Sequence, residues 1–400
     1  MISSVAYLSL HTCPLTVPGV GDAGGMNVSI HEHALAMARR GVAVDVFTRR
    51  ADSDVAEVTE PAPGYRVVHV PAGPPESLPI ADQVGLVEAF TEGVMARLDR
   101  PYDLIHSHYW LSGRSGLRIA ARMGLPLANS FHTLGRVKDR TRRADQAPSP
   151  TERIDAEHAV IAGSACVIAA TPLEASDLID HYGADPTRLC VSPPGVDLET
   201  FHPGDRAAAR RRLGLDDGPL VLVAGRVQPL KGVDVALEAL ARLRRRVPAR
   251  LLVVGGASGD GGSAELRRLV ARAAEPDLAG AVEFRPAVPH ADLADHLRAA
   301  DVVHVPSRSE SFGLVAVEAA ACATPVVAAE VGGLRYAVAD GVGGLLVTGW
   351  DPQDHAEALE RVLCEPGLAT ALADGAARHA TRFGWDATTD RLLELYAGIT

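Results

Sequence analysis

The chain reads as an α/β protein of two Rossmann-like, doubly wound parallel-sheet domains facing a cleft. Three observations predict this. Its 400 residues exceed what one hydrophobic core usually fills. Short, almost continuously apolar runs alternate with helical patterns, as expected of parallel strands buried on both faces. The alternation breaks once, at Ser192-Pro193-Pro194-Gly195-Val196-Asp197, which opens a hinge ending near Pro203-Gly204. The expected domains are residues 1–197 and 198–384.

In the first domain the patterning predicts strands over 5–10, 42–48, 65–70, 103–108, 126–132 and 166–170. Helices are predicted over 26–40, with an apolar face at Val28, Ala34, Leu35 and Ala38, and over 81–98, 113–123 and 152–163. Thr171-Pro172-Leu173-Glu174 is a capping box with proline at the first helical position, opening a helix that runs to Tyr182. The second alternation predicts strands over 220–224, 250–254, 282–285, 302–306 and 325–328, with helices between them. Residues 385–396 form a last amphipathic helix. The polar, proline-containing stretch 139–150 reads as a mobile loop over the cleft or as an ordinary surface loop.

A hydrophobic content of 47 % with 22 % charged residues is globular. The net charge of -11 argues against a nucleic-acid or anionic-membrane partner. No run approaches the ~18–20 apolar residues of a membrane span. The opening run lacks a basic flank, since the first Lys or Arg is Arg39, and reads as a buried strand, not a signal peptide. Cys13, Cys166, Cys190, Cys322 and Cys364 are scattered, which suits a reducing cytoplasm and leads us to expect neither a metal site nor a disulfide framework. Only Lys138 and Lys231 are lysines, so 37 of the 39 basic residues are arginine. Codon bias accounts for the total, yet Lys231 falls in one of the clusters that follow.

Four constellations carry chemistry. Gly19-Val20-Gly21-Asp22-Ala23-Gly24-Gly25-Met26-Asn27 contains a G-x-G-x-x-G pattern. A dinucleotide reading is disfavoured, because more than ten residues separate the predicted strand from the helix. The second strand also ends in Thr48-Arg49-Arg50, with no carboxylate for a ribose. The better reading is a backbone approach to an anion at a helix N-terminus, with Asn27 facing the cleft. Second, Arg226 and Lys231 follow the first strand of the second domain, where two cations could stabilise a departing diphosphate without a metal. No D-x-D metal motif accompanies them. Third, Glu310 lies in a loop and Glu318 in the second turn of the next helix, suited to sugar and ribose hydroxyls. The N–H groups of Phe312, Gly313 and Leu314 between them suit phosphate. Fourth, His106-Ser107-His108-Tyr109-Trp110 and Ser130-Phe131-His132-Thr133 each end a strand. The clustered His106 and His108 suggest a metal or, with no third ligand at suitable spacing, a buried structural pair.

These motifs resemble glycosyltransferase family 4, of the GT-B fold, over essentially the whole chain. Three segments of the first domain narrow the resemblance: Gly21–Val28, His106–Gly113 and Phe131–Lys138. They are similar to the branch that glycosylates inositol 3-phosphate in mycothiol biosynthesis, using a UDP-linked N-acetylglucosamine with retention of configuration. The resemblance implies that Gly24, Gly25, Arg226 and Lys231 hold the diphosphate and Glu318 the ribose. Glu310, with the backbone of Phe312, Gly313 and Leu314, holds the donor sugar, with His132 near it. Arg226, Lys231, Glu310 and His132 are then the catalytic candidates. The final helix, 385–400, is implied to cross back to the first domain. The acceptor side is implied at Asn27, Tyr109, Thr133 and Arg153, and at position 80, where the family's phosphate-binding lysine is Ile80 here. Ser29 likewise stands where the family has tyrosine. These two departures raise an unphosphorylated cyclitol, an aminocyclitol or a small thiol as alternatives to an acceptor resembling inositol 3-phosphate.

The expected protein is therefore a cytoplasmic hexosyltransferase with a nucleotide-sugar co-substrate and no cofactor or metal. It has no nucleic-acid partner, and the reading is compatible with a homodimer. An NADP-dependent oxidoreductase and a non-catalytic sugar-nucleotide sensor are the rival readings.

Overall fold

The computed structural model describes residues 1–19, 21–144, 146–258 and 261–400. Val20 of the glycine stretch and Asp145 of the 139–150 stretch lie outside the described residues. The chain divides into two compact units. Met1–Thr16, Gly25–Pro193 and Trp385–Thr400 form the first, and Val17–Gly24 with Pro194–Gly384 form the second.

The first unit runs β1 (Ser4–Ser9), α1 (Gly25–Arg39), β2 (Ala43–Arg49), β3 (Val58–Ala62), β4 (Tyr65–Val70), α2 (Ile80–Gln83), α3 (Val87–Met95) and β5 (Leu104–His108). It continues through α4 (Tyr109–Met123), β6 (Leu127–Ser130), α5 (Gly135–Arg140), α6 (Thr151–Gly163), β7 (Cys166–Ala169), α7 (Pro172–Tyr182) and β8 (Leu189–Val191). The sheet order is β3-β4-β2-β1-β5-β6-β7-β8. Only β3 is antiparallel to its neighbour. Along β1, Ala6 and Leu8 enter one apolar core while Val5 and Tyr7 enter another. Burial on both faces is why the strand is apolar without alternation.

The second unit runs α8 (Arg206–Leu213), β9 (Leu220–Ala224), α9 (Val233–Leu243), β10 (Arg250–Val254), α10 (Gly262–Ala273), β11 (Val282–Arg285) and α11 (His290–Ala299). Then come β12 (Val302–Val305), α12 (Leu314–Ala321), β13 (Val326–Ala329), α13 (Leu334–Ala337), β14 (Gly344–Val347), α14 (Pro352–Cys364) and α15 (Pro366–Ala380). All its pairings are parallel, in the order β11-β10-β9-β12-β13-β14. In order of appearance this is 3-2-1-4-5-6, the doubly wound arrangement. Its winding reverses between β9 and β12, and that of the first sheet between β1 and β5. Ligands in such sheets bind beyond the carboxyl ends of the strands at the reversal.

The last helix, α16 (Trp385–Ala397), belongs to the first unit. Tyr396 Oη bonds Tyr7 Oη at 3.0 Å and His106 Nδ1 at 2.5 Å, and Thr389 Oγ1 bonds His33 Nδ1 at 2.9 Å. Arg40 donates to Asp390 at 2.6 Å and to Asp386 at 3.0 Å.

The alternation predicts the fold class and most elements, and the differences have physical causes. The single helix expected over 81–98 is α2, a 3-10 turn at Val84–Leu86 and α3, with Gly85 in the break. β3, β8 and β14 escape the pattern: β3 is a polar edge strand containing Pro61, β8 has three residues, and β14 begins with glycine. The expectation of no disulfide is corrected. Cys166 and Cys190 are bonded across the parallel neighbours β7 and β8, where Cys190 is registered with Ile168, two residues along β7 from Cys166. No helix among the described residues is long and apolar enough to cross a membrane.

Candidate active site

The second unit assembles its site from the loops after β9 and β12. Beyond β9 the chain runs through Gly225 and Arg226 into a 3-10 turn, Pro229–Lys231, and Gly232 then starts α9. Gly232 has φ +66°, and a Cβ there would collide with the carbonyl oxygen of Pro306, so only glycine lets this turn lie against the β12 loop. Lys231 Nζ sits 2.6 Å from Glu310 Oε2, and Ser307 Oγ donates to the same oxygen at 3.3 Å. Both side chains of the ion pair are partly exposed, 25 % for Lys231 and 17 % for Glu310, so a ligand can reach them. Glu310 is held from behind as well. Its carbonyl accepts from Gly333 N–H at 2.8 Å, and any Cβ at Gly332 or Gly333 would strike the 310–312 backbone.

Arg226 takes a different partner. Its Nη1 donates to Asp22 O at 3.3 Å, and a Cβ on Gly24 would lie 3.1 Å from Arg226 Nε. The end of the glycine loop thus wraps the arginine, while Gly25 opens α1 in the first unit. Phe312 is buried, its ring 5.5 Å from that of Phe383. Gly313, at φ +104°, caps α12 directly before Leu314. The first N–H groups of a helix have no intrahelical acceptor, so this segment suits an anion. Glu318 is buried one turn into α12, and its Oε1 lies 2.7 Å from His290 Nε2.

In the first unit the site residues follow β1, β5 and β6. His108 Nδ1 and His132 Nε2 are 2.9 Å apart, and His106 Nε2 is 3.0 Å from Ser130 Oγ. Burial lowers the pKa of all three imidazoles, that of His132 to about 4 and those of His106 and His108 well below the usual value. They are neutral at pH 7, so each ring offers one donor and one acceptor nitrogen, and its tautomer sets the direction of each contact. His132 (φ +59°) and Tyr109 (φ +76°) both occupy the left-handed region, at about 1–3 kcal/mol each. Such strain persists where surrounding structure enforces it, and here it falls at two strand ends of one sheet.

Tyr109, Thr133 and Arg153, which the resemblance implied for the acceptor, lie together. Arg153 Nη2 donates to Thr133 O at 3.0 Å and to Thr133 Oγ1 at 3.1 Å, and its guanidinium lies 5.2 Å from the centre of the Tyr109 ring. Arg153 Nε also donates to Glu157 at 2.8 Å, and both side chains are buried. Asn27 Nδ2 donates to Thr12 Oγ1 at 2.7 Å and to Cys13 O at 2.6 Å, bracing the turn after β1. Ile80 opens α2 and, like Val84, packs against the apolar core that contains Val87 and Phe90. Among the described residues no group of His, Cys, Asp and Glu is arranged to hold a metal ion. The sequence reading missed His290, Gly332-Gly333 and Glu157. Only the Gly-Gly pair left a signal, as a backbone-approach motif after a strand.

The two doubly wound Rossmann-like units have the architecture of a GT-B glycosyltransferase. The comparisons agree. A model of "Glycosyltransferase Family 4" matches residues 23–200, and one of "Glycosyl transferases group 1" matches residues 205–379. The chain belongs to glycosyltransferase family 4. It is 49 % identical to the D-inositol 3-phosphate glycosyltransferase of Kineococcus radiotolerans, over 99 % of this chain and 95 % of that one. It is 50 % identical to the enzyme of the same name from Actinosynnema mirum, over 98 % of this chain and 96 % of that one. A sucrose-phosphate synthase from Thermosynechococcus elongatus superposes with a TM-score of 0.93 at 33 % identity, over 99 % of each chain. Anabaena HepE, solved with UDP-glucose, shares the fold, with a TM-score of 0.78 at 20 % identity over 99 % of each chain. Membership of this family sets aside the oxidoreductase reading of the glycine loop.

Proposed function

We propose that this chain transfers a hexosyl group, N-acetylglucosaminyl or a close relative, from a UDP-sugar to a small polar acceptor resembling inositol 3-phosphate, with retention. The Lys231–Glu310 pair at the reversal of the second sheet carries the donor side of this reading. The names of the nearly full-length relatives support the acceptor class. Arg226 and Lys231 hold the diphosphate, so no metal is needed to offset the charge that develops as the glycosidic bond breaks. Glu318 accepts from the ribose hydroxyls, and Glu310 with the start of α12 orients the sugar. The acceptor oxygen attacks the anomeric carbon on the face from which the diphosphate departs. The leaving phosphate oxygen takes the acceptor proton, so that glycoside and UDP are the products. His132, neutral, hydrogen-bonds the sugar but does not carry charge. Rate enhancement comes from positioning and fixed electrostatics.

A second reading has its own support. Ile80 faces an apolar core, and the charge of Arg153 is offset by Glu157. These residues favour an acceptor without a phosphate: an unphosphorylated cyclitol, an aminocyclitol or a small thiol. A mass-spectrometric screen decides. It crosses UDP- and GDP-linked hexoses with inositol 3-phosphate, free cyclitols, aminocyclitols and small thiols. Turnover of UDP-N-acetylglucosamine with inositol 3-phosphate alone supports the first reading. Turnover restricted to unphosphorylated acceptors replaces it with the second, and no sugar transfer from any donor rejects both.

A further inference from the structure

Lys231 and Glu310 are 79 residues apart, and strand pairing does not set the distance between them. β9 and β12 share register only at Val221↔Val302 and Leu222↔Val303, before either functional loop begins. We propose that Arg308 and Asp234 form a clamp that positions Lys231 against Glu310, so that both are positioning residues for donor binding. This rests on the donor-side reading of Lys231 and Glu310 given above.

Arg308 joins the two loops three times. Its backbone N–H donates to Leu230 O at 2.7 Å. Its Nη1 donates to Pro229 O at 3.1 Å. Its guanidinium meets Asp234 through two parallel bonds of 2.9 Å each. Pro229 and Leu230 are the first two residues of the 3-10 turn that ends in Lys231, and Asp234 lies in the first turn of α9, directly beyond it. Arg308 stands two residues before Glu310. A second tie secures the glutamate side: Trp350 Nε1 donates to Ser307 O at 3.2 Å, and Ser307 Oγ reaches Glu310. Asp234, Arg308 and Trp350 also line a cavity of about 230 Å³ shared with Glu238, Arg272 and Pro352. Close packing does not brace the clamp on that side, so directed bonds hold its geometry. A two-pronged guanidinium–carboxylate pair does this because its fork is planar and rigid, which a lysine cannot reproduce.

The test is calorimetric titration of the full chain with UDP, with thermal melts in parallel. The variants are Asp234→Ala, Arg308→Lys and Trp350→Phe, each alone and combined with Lys231→Ala. Asp234→Ala and Arg308→Lys are expected to weaken UDP binding by about 10-fold, and Trp350→Phe by less, in folded protein. With Lys231 already removed, there is no ammonium left to misplace, and the same changes are expected to cost less than about 2-fold. A merely structural role would lower the melting temperature yet give the same loss in both backgrounds, and that additivity overturns the proposal. Unchanged UDP affinity in Asp234→Ala and Arg308→Lys, alongside a loss in Lys231→Ala, overturns the clamp alone. Unchanged affinity in Lys231→Ala overturns the donor-side reading and the clamp with it. If Asp234→Ala does not fold, Arg308→Lys and Trp350→Phe are judged by the same criterion.

Discussion

The two sheets wind alike, yet the groups at their reversal points differ in charge. Beyond β9 and β12 the side chains are ionised and accessible: Lys231 against Glu310, with Arg226 enclosed by the end of the glycine loop. Beyond β1, β5 and β6 stand neutral imidazoles, and the full charge there, on Arg153, is buried against Glu157. A diphosphate is recognised by charge, which tolerates some looseness in geometry. A polyol must be read by directed hydrogen bonds, which require buried groups in fixed tautomers and rotamers. Under the proposed function, this contrast assigns recognition of the donor anion to the second unit and of the acceptor's shape to the first.

Breaking the buried pair should have the largest effect. Arg153→Ala strands Glu157 without its counter-charge and should destabilise the protein by about 3–5 kcal/mol in chemical denaturation. Adding Glu157→Gln keeps acceptors for Gly135 N–H and Tyr182 Oη and should restore most of that loss. Lys231→Ala should lower kcat by ~10²-fold or more while leaving the denaturation midpoint almost unchanged, because its pair is partly exposed. Turnover near that of the wild type would remove the role assigned to Lys231.

Acid should next separate the units. His33 is lowered to about 3, His132 to about 4, and His106 and His108 well below the ordinary value, in each case chiefly by burial. Among the described residues of the second unit, His304 is depressed comparably. The native imidazoles stay neutral while the unfolded chain binds protons below about pH 6.5. Their contribution is therefore complete above pH 6.5 and is lost as pH falls toward the folded values, at about 1.4 kcal/mol per pH unit for each histidine. Hydrogen exchange at pH 5 should show protection falling first around β5 and β6. An equal fall around β9 and β10, which carry no histidine, would contradict the contrast. The smallest effect is local. Thr171 Oγ1 accepts from Glu174 N–H at 3.1 Å at the start of α7, and Thr171→Ala should cost about 1 kcal/mol, read from thermal melts.

Much of the candidate site in the second unit was legible in the sequence because its parts are local. Arg226 and Lys231 lie within one turn after an apolar strand, and Glu310 and Glu318 lie within one loop and the helix it opens. Periodicity located those strands closely, from Leu220–Ala224 to Val282–Arg285. The partners were not legible. His290 meets Glu318 from 28 residues away, and Glu157 lies 22 residues from Gly135 N–H. Nothing in their local spacing marks them, since such contacts arise from helix placement and not from pattern. The Cys166–Cys190 bond shows the same limit, because the adjacency of β7 and β8 and not the sequence interval brought them within reach.

By itself, then, the sequence determined the α/β class, the order of most strands and helices, and the residue types of the candidate site in the second unit. Each of these depends on contacts between residues close in the chain, where hydrophobic period and turn chemistry operate. Tertiary structure alone decided that Lys231 pairs with Glu310, that His108 faces His132, and that Arg308 ties two distant loops together. The reason is physical: hydrogen bonds and ion pairs depend on distances of about 3 Å, which sheet register and packing set and which no one-dimensional spacing encodes.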